Sequence, residues 1–457
     1  MAKFSTSYHK FYNTEKEQER FMTESYIGGK MYANDKNLFR YINENKDKFK
    51  KRLERSYLIN CLQPIVSEIK NTIFAKDIRR DSSEKELFNL FIEKATKSGE
   101  NLSEFMQDLA IYGCLYKVGV LVDGSNFSGE IEKSVRDKNR LFASVSVLLP
   151  HQIMDYYEDA RGVIQWVLLD CSYCDKSVLG QSVEVKKYVY WDKLSFTIYT
   201  SSDNGEFTSE QIPHDLGEVP FFFFKKKELH RDPLATSIFE DVAILQKAIY
   251  NYYSLIDENI YASIMPMLLS KVASTPFNEE TKKGTGFSLT DNVFYYEEVA
   301  PQLLKPEFLD PQVILNIIET LTKEVYRKVG DYIDANNMYA QSGTAKEIDR
   351  EKRSNALTNY SKQLENAENH ILRLFGKWEN IEFTNYDESV YPDNFDITSF
   401  MDRIENALKL STMFANSPTA QNAIRKDVLE NCLGDKLTPE EKKKIEEELQ
   451  NPQPDFT

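Results

Sequence analysis

Residues 236–262 and 311–333 repeat apolar side chains at three- and four-residue steps, and these two long periods constrain the fold more than any other feature of the chain. In the first, Ile238, Val242, Leu245, Ile249, Tyr253, Ile256 and Ile260 share a face, while Gln246, Asn251, Ser254 and Glu258 lie elsewhere. Ser237 with Glu240 has the spacing of a helix start, and Pro266 stops the run. In the second, Asp310-Pro311 supplies an N-cap followed by proline at the first helical position. Its apolar face is Val313, Ile314, Ile317, Ile318, Leu321, Val325, Val329 and Ile333; a separate polar stripe carries Asn316, Glu319, Lys323 and Arg327. Lys323 and Arg327 stand four apart, where like charges repel mildly, and on an isolated helix such a stripe is simply a solvated face.

Between the two helices lie a short apolar piece (Met267-Leu268-Leu269-Ser270), a loop containing Lys282, Lys283, Gly284 and Gly286, and a strand-like run from Asn292 to Tyr296 that includes Phe294 and Tyr295. Gly284-x-Gly286 lacks the third glycine and the following helix of a dinucleotide site. After the second helix, residues 334–343 (Asn336, Asn337, Met338 and Tyr339 among them) form a polar loop ending at Gly343, and another helix spans 344–379. A strand-like Asn380–Phe383 follows, and the C-terminal section is helical again, with a capping box at Thr438-Pro439-Glu440-Glu441.

Upstream, the chain divides by period. Most of the first 125 residues reads as helix: Leu38, Tyr41, Ile42, Phe49 and Leu53 begin an amphipathic pattern, and Ile59, Leu62, Ile65, Ile69 and Ile73 continue it. Pro64 kinks or restarts that run, and Asn101 with Glu104 opens the next helix as a capping box. From Tyr116 the period becomes that of strands: 116–122, 143–149, 164–170, 183–191 and 195–199. Turns are expected at Asp192-Lys193, Asn204-Gly205 and Leu216-Gly217, and Val219–Phe224 reads as a buried strand ending at a lysine-rich surface. The fold class is therefore α+β, mainly helical with a β-rich region.

Composition narrows the function classes. In 457 residues the net charge is −15, which argues against a tight grip on nucleic acid, because gripping needs neutralised phosphates. No apolar run reaches the roughly 18–20 residues that span a bilayer, and Met1-Ala2-Lys3-Phe4-Ser5 has no signal-peptide character, so a cytoplasmic protein is expected. Five cysteines are few for a disulfide framework. Cys171-x-x-Cys174 has no second pair and no spaced histidines to complete a zinc site, so no metal or cofactor is expected. His151 and His214 sit beside turns with no recognisable acidic partner, which points to structural placement.

The order of these pieces is similar to that of tailed-bacteriophage portal proteins. The residues that carry the resemblance are Arg52-Leu53-Glu54-Arg55-Ser56-Tyr57 with Asn60, Leu102-Ser103-Glu104-Phe105 leading into Val118–Asp123, His214-Asp215-Leu216-Gly217-Glu218-Val219-Pro220-Phe221, Asp232-Pro233-Leu234-Ala235 with Ser237, and Gln341-Ser342-Gly343-Thr344-Ala345-Lys346. They span about 350 residues, without any motif as sharp as a phosphate-binding loop.

The resemblance implies a ring of roughly twelve copies at one capsid vertex, a conduit for double-stranded DNA in packaging and ejection. It implies that 1–235 are wing, 236–262 the first stem helix, 263–309 the clip, 311–333 the second stem helix, 334–343 the tunnel loop, 344–395 wing, and 396–457 crown-like helices. Lys323, Arg327, Asn336, Asn337, Met338 and Tyr339 would then face DNA, and Lys282, Lys283, Phe294 and Tyr295 would dock partners. The partners implied are further copies of the chain, the major capsid protein, terminase and a tail adaptor, in a virion assembled in the host cytoplasm.

Two other classes compete. A different head–tail adaptor would share the acidic, cysteine-poor composition without needing paired long helices. A hydrolase using Cys114 or a serine would need a motif such as G-x-S-x-G or H-E-x-x-H, and neither occurs; a carboxylate-only metal nuclease has no acidic cluster singled out among the 72 acidic residues.

Overall fold

The computed structural model describes residues 7–42, 44–124, 142–175, 183–201, 207–225, 237–264, 268–271, 293–296, 311–330 and 343–393, with isolated positions beyond. The chain divides into Met1–Asp393 and Asn394–Thr457, and the second unit lies almost wholly outside the described residues, as do the expected turn at 204–205, the loop at 334–342 and the capping box at 438–441.

The N-terminal helices are α1 (Tyr12–Ile27), α2 (Gly29–Tyr32), α3 (Lys46–Arg55), α4 (Leu62–Ile73), α5 (Glu86–Glu93) and α6 (Leu102–Leu115). Pro64 falls in the first turn of α4, where its missing N–H costs nothing, so the chain restarts there. The continuous period expected from Leu38 is not a helix before Lys46: Ile42 is 99% exposed, and Asn45 caps α3 instead. α6 opens with the reciprocal Asn101–Glu104 capping box, and its apolar face is buried at Leu102, Phe105, Met106 and Leu109.

The strands form two principal sheets. In the larger, antiparallel sheet the order is β10 (Phe207–Pro213), β9 (Ser195–Ser201), β8 (Lys187–Trp191), β5 (Ile164–Asp170), β4 (Ile153–Glu158). In the smaller, β2 (Val118–Asp123) lies between β11 (Phe221–Phe224) and β3 (Ser144–Leu148). Val183–Trp191 is two strands, not one: β7 (Val183–Val185) pairs with β6 (Tyr173–Asp175), while β8 joins the large sheet. The sheets share a core of Leu121, Val167, Leu169, Val189, Trp191, Phe196 and Phe221. Gly119 is required there, because a Cβ would stand 2.3 Å from the Phe221 ring.

Three long helices complete the unit: α7 (Ile238–Ile264), α8 (Pro311–Val329) and α9 (Gly343–Glu379). Between α7 and α8, β12 (Leu268–Lys271) pairs in parallel with β13 (Val293–Tyr296). α9 packs Leu357, Leu364, Ile371 and Phe375 into the core, and the Trp378 indole N–H donates to the Val122 carbonyl at 2.8 Å. Asn380–Phe383 is not a strand. Asn380 takes a left-handed φ of 54°, and the Ile381 N–H closes back on the Gly376 carbonyl, which ends the helix. The short strands β1 (Arg79–Arg80) and β14 (Ser389–Val390) pair instead, locked to α9 by Arg80 on the fully buried Glu368, which also accepts from Ser389 and Tyr391.

Candidate functional site

α7 and α8 run antiparallel. Lys328 near the end of α8 pairs with Asp241 near the start of α7 at 2.6 Å, and Thr322 and Tyr326 lie across from Ile249 and Tyr253. Their shared seam is apolar, with Val242, Ile249 and Ile256 of α7 and Ile314, Ile318, Val325 and Val329 of α8 buried. Burial separates the apolar residues expected on one face: Val313 is 42% exposed and Ile260 47% exposed.

The polar residues of α7 are not a solvated stripe. Gln246 is fully buried; its side-chain oxygen accepts from the Cys61 and Leu62 N–H groups and its amide donates to the Ser25 carbonyl. Since Cys61 offers no side-chain cap, Gln246 satisfies the orphan donors at the start of α4. One turn on, Asn251 accepts from the Phe39 N–H at 2.8 Å and donates to the Asn37 carbonyl at 3.0 Å. Next, Ser254 receives the Arg52 guanidinium at 3.1 Å and the Ser56 hydroxyl at 2.9 Å. Arg52 itself is buried against Glu44 at 2.8 Å and donates to the Phe39 carbonyl. The guanidinium holds the Glu44 carboxyl below its ordinary range, overcoming the rise that burial alone would cause. Gln246, Asn251 and Ser254 thus fasten the first two-thirds of α7 to segments some two hundred positions earlier. Sequence periodicity misses this, because an isolated polar residue on a helix looks the same whether it meets water or a distant backbone.

α8 carries the exposed polar face. Gln312, Asn316, Glu319, Thr320, Lys323 and Arg327 fall within about a quarter-turn of one another by helical geometry and are all exposed. Lys323 pairs with Glu319 at 2.6 Å and Arg327 with Glu324 at 2.8 Å. The two cations that the resemblance turns toward DNA therefore each pair with a carboxylate on the same helix, and the face is nearly charge-balanced. Phe294 and Tyr295 lie in β13, opposite Leu269 and Ser270. Lys282, Lys283, Asn336, Asn337, Met338 and Tyr339 lie outside the described residues.

Other sequence candidates resolve into structural roles. His151 does have an acidic partner: its Nδ1 is 2.7 Å from Glu19, whose other oxygen accepts the His151 N–H, tying α1 to the turn before β4. That carboxylate raises the imidazole pKa. His214 is buried with its Nε2 3.0 Å from the Asp192 carbonyl. Cys114 is 1% exposed, and its carbonyl accepts from the Ser237 hydroxyl. Cys171 is half-buried and Cys174 exposed. Among the described residues no helix is long and apolar enough to cross a membrane.

No family model matches the chain, and no curated protein matches it. Among solved structures, the chain is similar to one from the virion of a native gene transfer agent (GTA) particle, at 10% identity and a TM-score of 0.37 over 85% of this chain and 94% of that one. It is also similar to a chain from the neck of the native GTA particle computed with C12 symmetry (10% identity, TM-score 0.38, 79% and 88% covered). A third, from the neck of the empty particle computed with C6 symmetry, gives 11% identity and a TM-score of 0.38 over 86% and 95%. At these values the likeness carries no argument about function.

Proposed function

We propose that this chain is a portal subunit: a ring of roughly twelve copies at one capsid vertex that passes double-stranded DNA and docks terminase, a tail adaptor and the major capsid protein. The observation that carries this reading is the antiparallel α7–α8 pair, fastened at its base into the α+β body, bracketing a small strand module, and presenting an exposed polar face on α8. A conduit must touch phosphates without retaining them, since every neutralised phosphate adds a salt-sensitive binding contribution. Lys323 and Arg327, each paired with a carboxylate, suit guidance without grip. On this reading 1–235 and 344–395 form the wing, 263–309 the clip with Lys282, Lys283, Phe294 and Tyr295 toward partners, and 396–457 the crown. Asn336, Asn337, Met338 and Tyr339 sit on a loop nearest the DNA.

Negative-stain imaging and native mass spectrometry of the purified full chain test the proposal. Rings of about a dozen copies with a central hole are expected. Monomers or dimers at every concentration would overturn it.

A further inference from the structure

Residues 7–11, which lead into α1, meet an edge of the large sheet. β4 is that edge strand, and a bulge at Met154 interrupts its register with β5 between Ile153 and Asp155. The Met154 carbonyl accepts the His9 N–H at 2.9 Å, so the segment covers the edge at the point where the ladder is broken.

The His9 side chain anchors this cover. It is 7% exposed, and its ring packs against Tyr12 of α1 at 5.8 Å and Tyr156 of β4 at 5.3 Å. Neither ring nitrogen has a hydrogen-bond partner among the described residues, and the Glu15 carboxylate of α1 stands 3.7 Å from Nε2. That carboxylate is already engaged. Lys117, just before β2, meets it at 2.5 Å, and the same ammonium lies over the Phe223 and Tyr156 rings at 4.6 and 5.5 Å. Asp155 of β4 also acts on the ring, but one of its oxygens accepts the Tyr156 N–H. Tyr8 and Lys10, the other titratable side chains of the segment, are exposed.

A proton on His9 is poorly accommodated here. It would set a second cation beside a carboxylate that Lys117 already neutralises, and would bury two N–H donors without acceptors. Burial first, and then Lys117, lower the ring pKa against the pull of Glu15 and Asp155. A ring released into water recovers its ordinary value of 6.5. The released segment therefore binds the proton more readily than the docked one, so docking is complete above pH 6.5 and weakens as pH falls. His151 has the opposite sign: Glu19 raises its pKa, so acid tightens the tie between α1 and the turn before β4.

We propose that residues 7–11 are an acid-released cover for the edge of β4, with His9 as its latch. Release opens the bulged edge to pairing with another strand. The device does not depend on the ring reading, since every group in it belongs to one copy of the chain.

Hydrogen exchange of the full-length protein, read by mass spectrometry from about pH 8 to about pH 5, tests the latch. After correction for intrinsic rates, the peptide covering residues 7–11 is expected to lose protection at least about threefold as pH falls. Peptides from α6 are expected to keep theirs, which separates release from global unfolding. His9→Phe keeps an aromatic ring between Tyr12 and Tyr156 but takes up no proton, and is expected to hold the segment closed throughout. Lys117→Met leaves Glu15 to a protonated His9 and is expected to move the loss to lower pH. Wild-type protection that does not change with pH would overturn the proposal, as would a loss that persists in His9→Phe. If the phenylalanine variant is open at every pH, the Lys117→Met profile decides, and a loss at the wild-type pH overturns the latch.

Discussion

At the scale of single residues, His370 shows how burial sets a pH limit. Its ring lies 4.5 Å from Phe222 with the Arg373 guanidinium 3.3 Å from Nε2, and burial first, then that positive charge, lowers its pKa from 6.5 to about 4. The folded protein therefore prefers the neutral ring and the unfolded chain binds the proton more readily. The resulting stability is complete above pH 6.5 and is lost as pH falls through about 4. The loss amounts to no more than about 3 kcal/mol. His370→Leu is expected to flatten this limb, narrowing the difference between melting temperatures at pH 7 and pH 4.5. An unchanged difference in the variant would assign the acid limb to the carboxylates instead.

At the scale of elements, the joint between α3 and α7 rests on Arg52, whose side chain is 3% exposed and whose partners are Glu44, Ser254 and the Phe39 carbonyl. Arg52→Ala strands the Glu44 carboxylate and is expected to cost about 3–5 kcal/mol. The double change Arg52→Met with Glu44→Leu removes both charges and is expected to cost much less, which denaturant titration of the three proteins resolves. A single substitution no worse than the double would show that the pair is not what holds the joint. The same joint explains what the sequence could reveal. The long periods of α7 and α8, the capping box at Asn101 and the strand at 164–170 are local signals, and they are legible. β4 and β10 were not, because they are the two edges of the large sheet and β10 exposes Thr208, Ser209, Glu210 and Gln211 in succession, erasing the alternation that marks a half-buried strand. Gln246 was unreadable for a different reason: its partners, Ser25, Cys61 and Leu62, are supplied by tertiary structure alone. In the candidate site, Lys323 and Arg327 were visible as a pair, but their pairing with Glu319 and Glu324 is what sets the charge of the face.

At the scale of the whole molecule, near-neutrality of that face matters because a ring multiplies every side chain by its copy number. Glu319→Gln with Glu324→Gln would remove two negative charges per copy from beside Lys323 and Arg327. In the proposed ring this is expected to turn weak passage into retention, with DNA affinity rising and its salt dependence steepening, as read by filter binding across a salt series. Ring number, checked by native mass spectrometry, should stay unchanged, since Glu319 is exposed and Glu324 partly exposed. Unaltered DNA affinity in the double variant would place this face away from the DNA path.

The fastening of α7 also has a mechanical consequence. Its polar anchors to neighbouring segments, from Gln246 through Asn251 to Ser254, are spread over more than two turns and reach out on different sides of the helix axis. A pull along that axis would load them together in shear, whereas a sideways pull on a helix held at one point would peel its contacts one by one. α7 is thus built like a beam set into masonry: thrust delivered to its far end passes into the body of the protein with little recoil at the root.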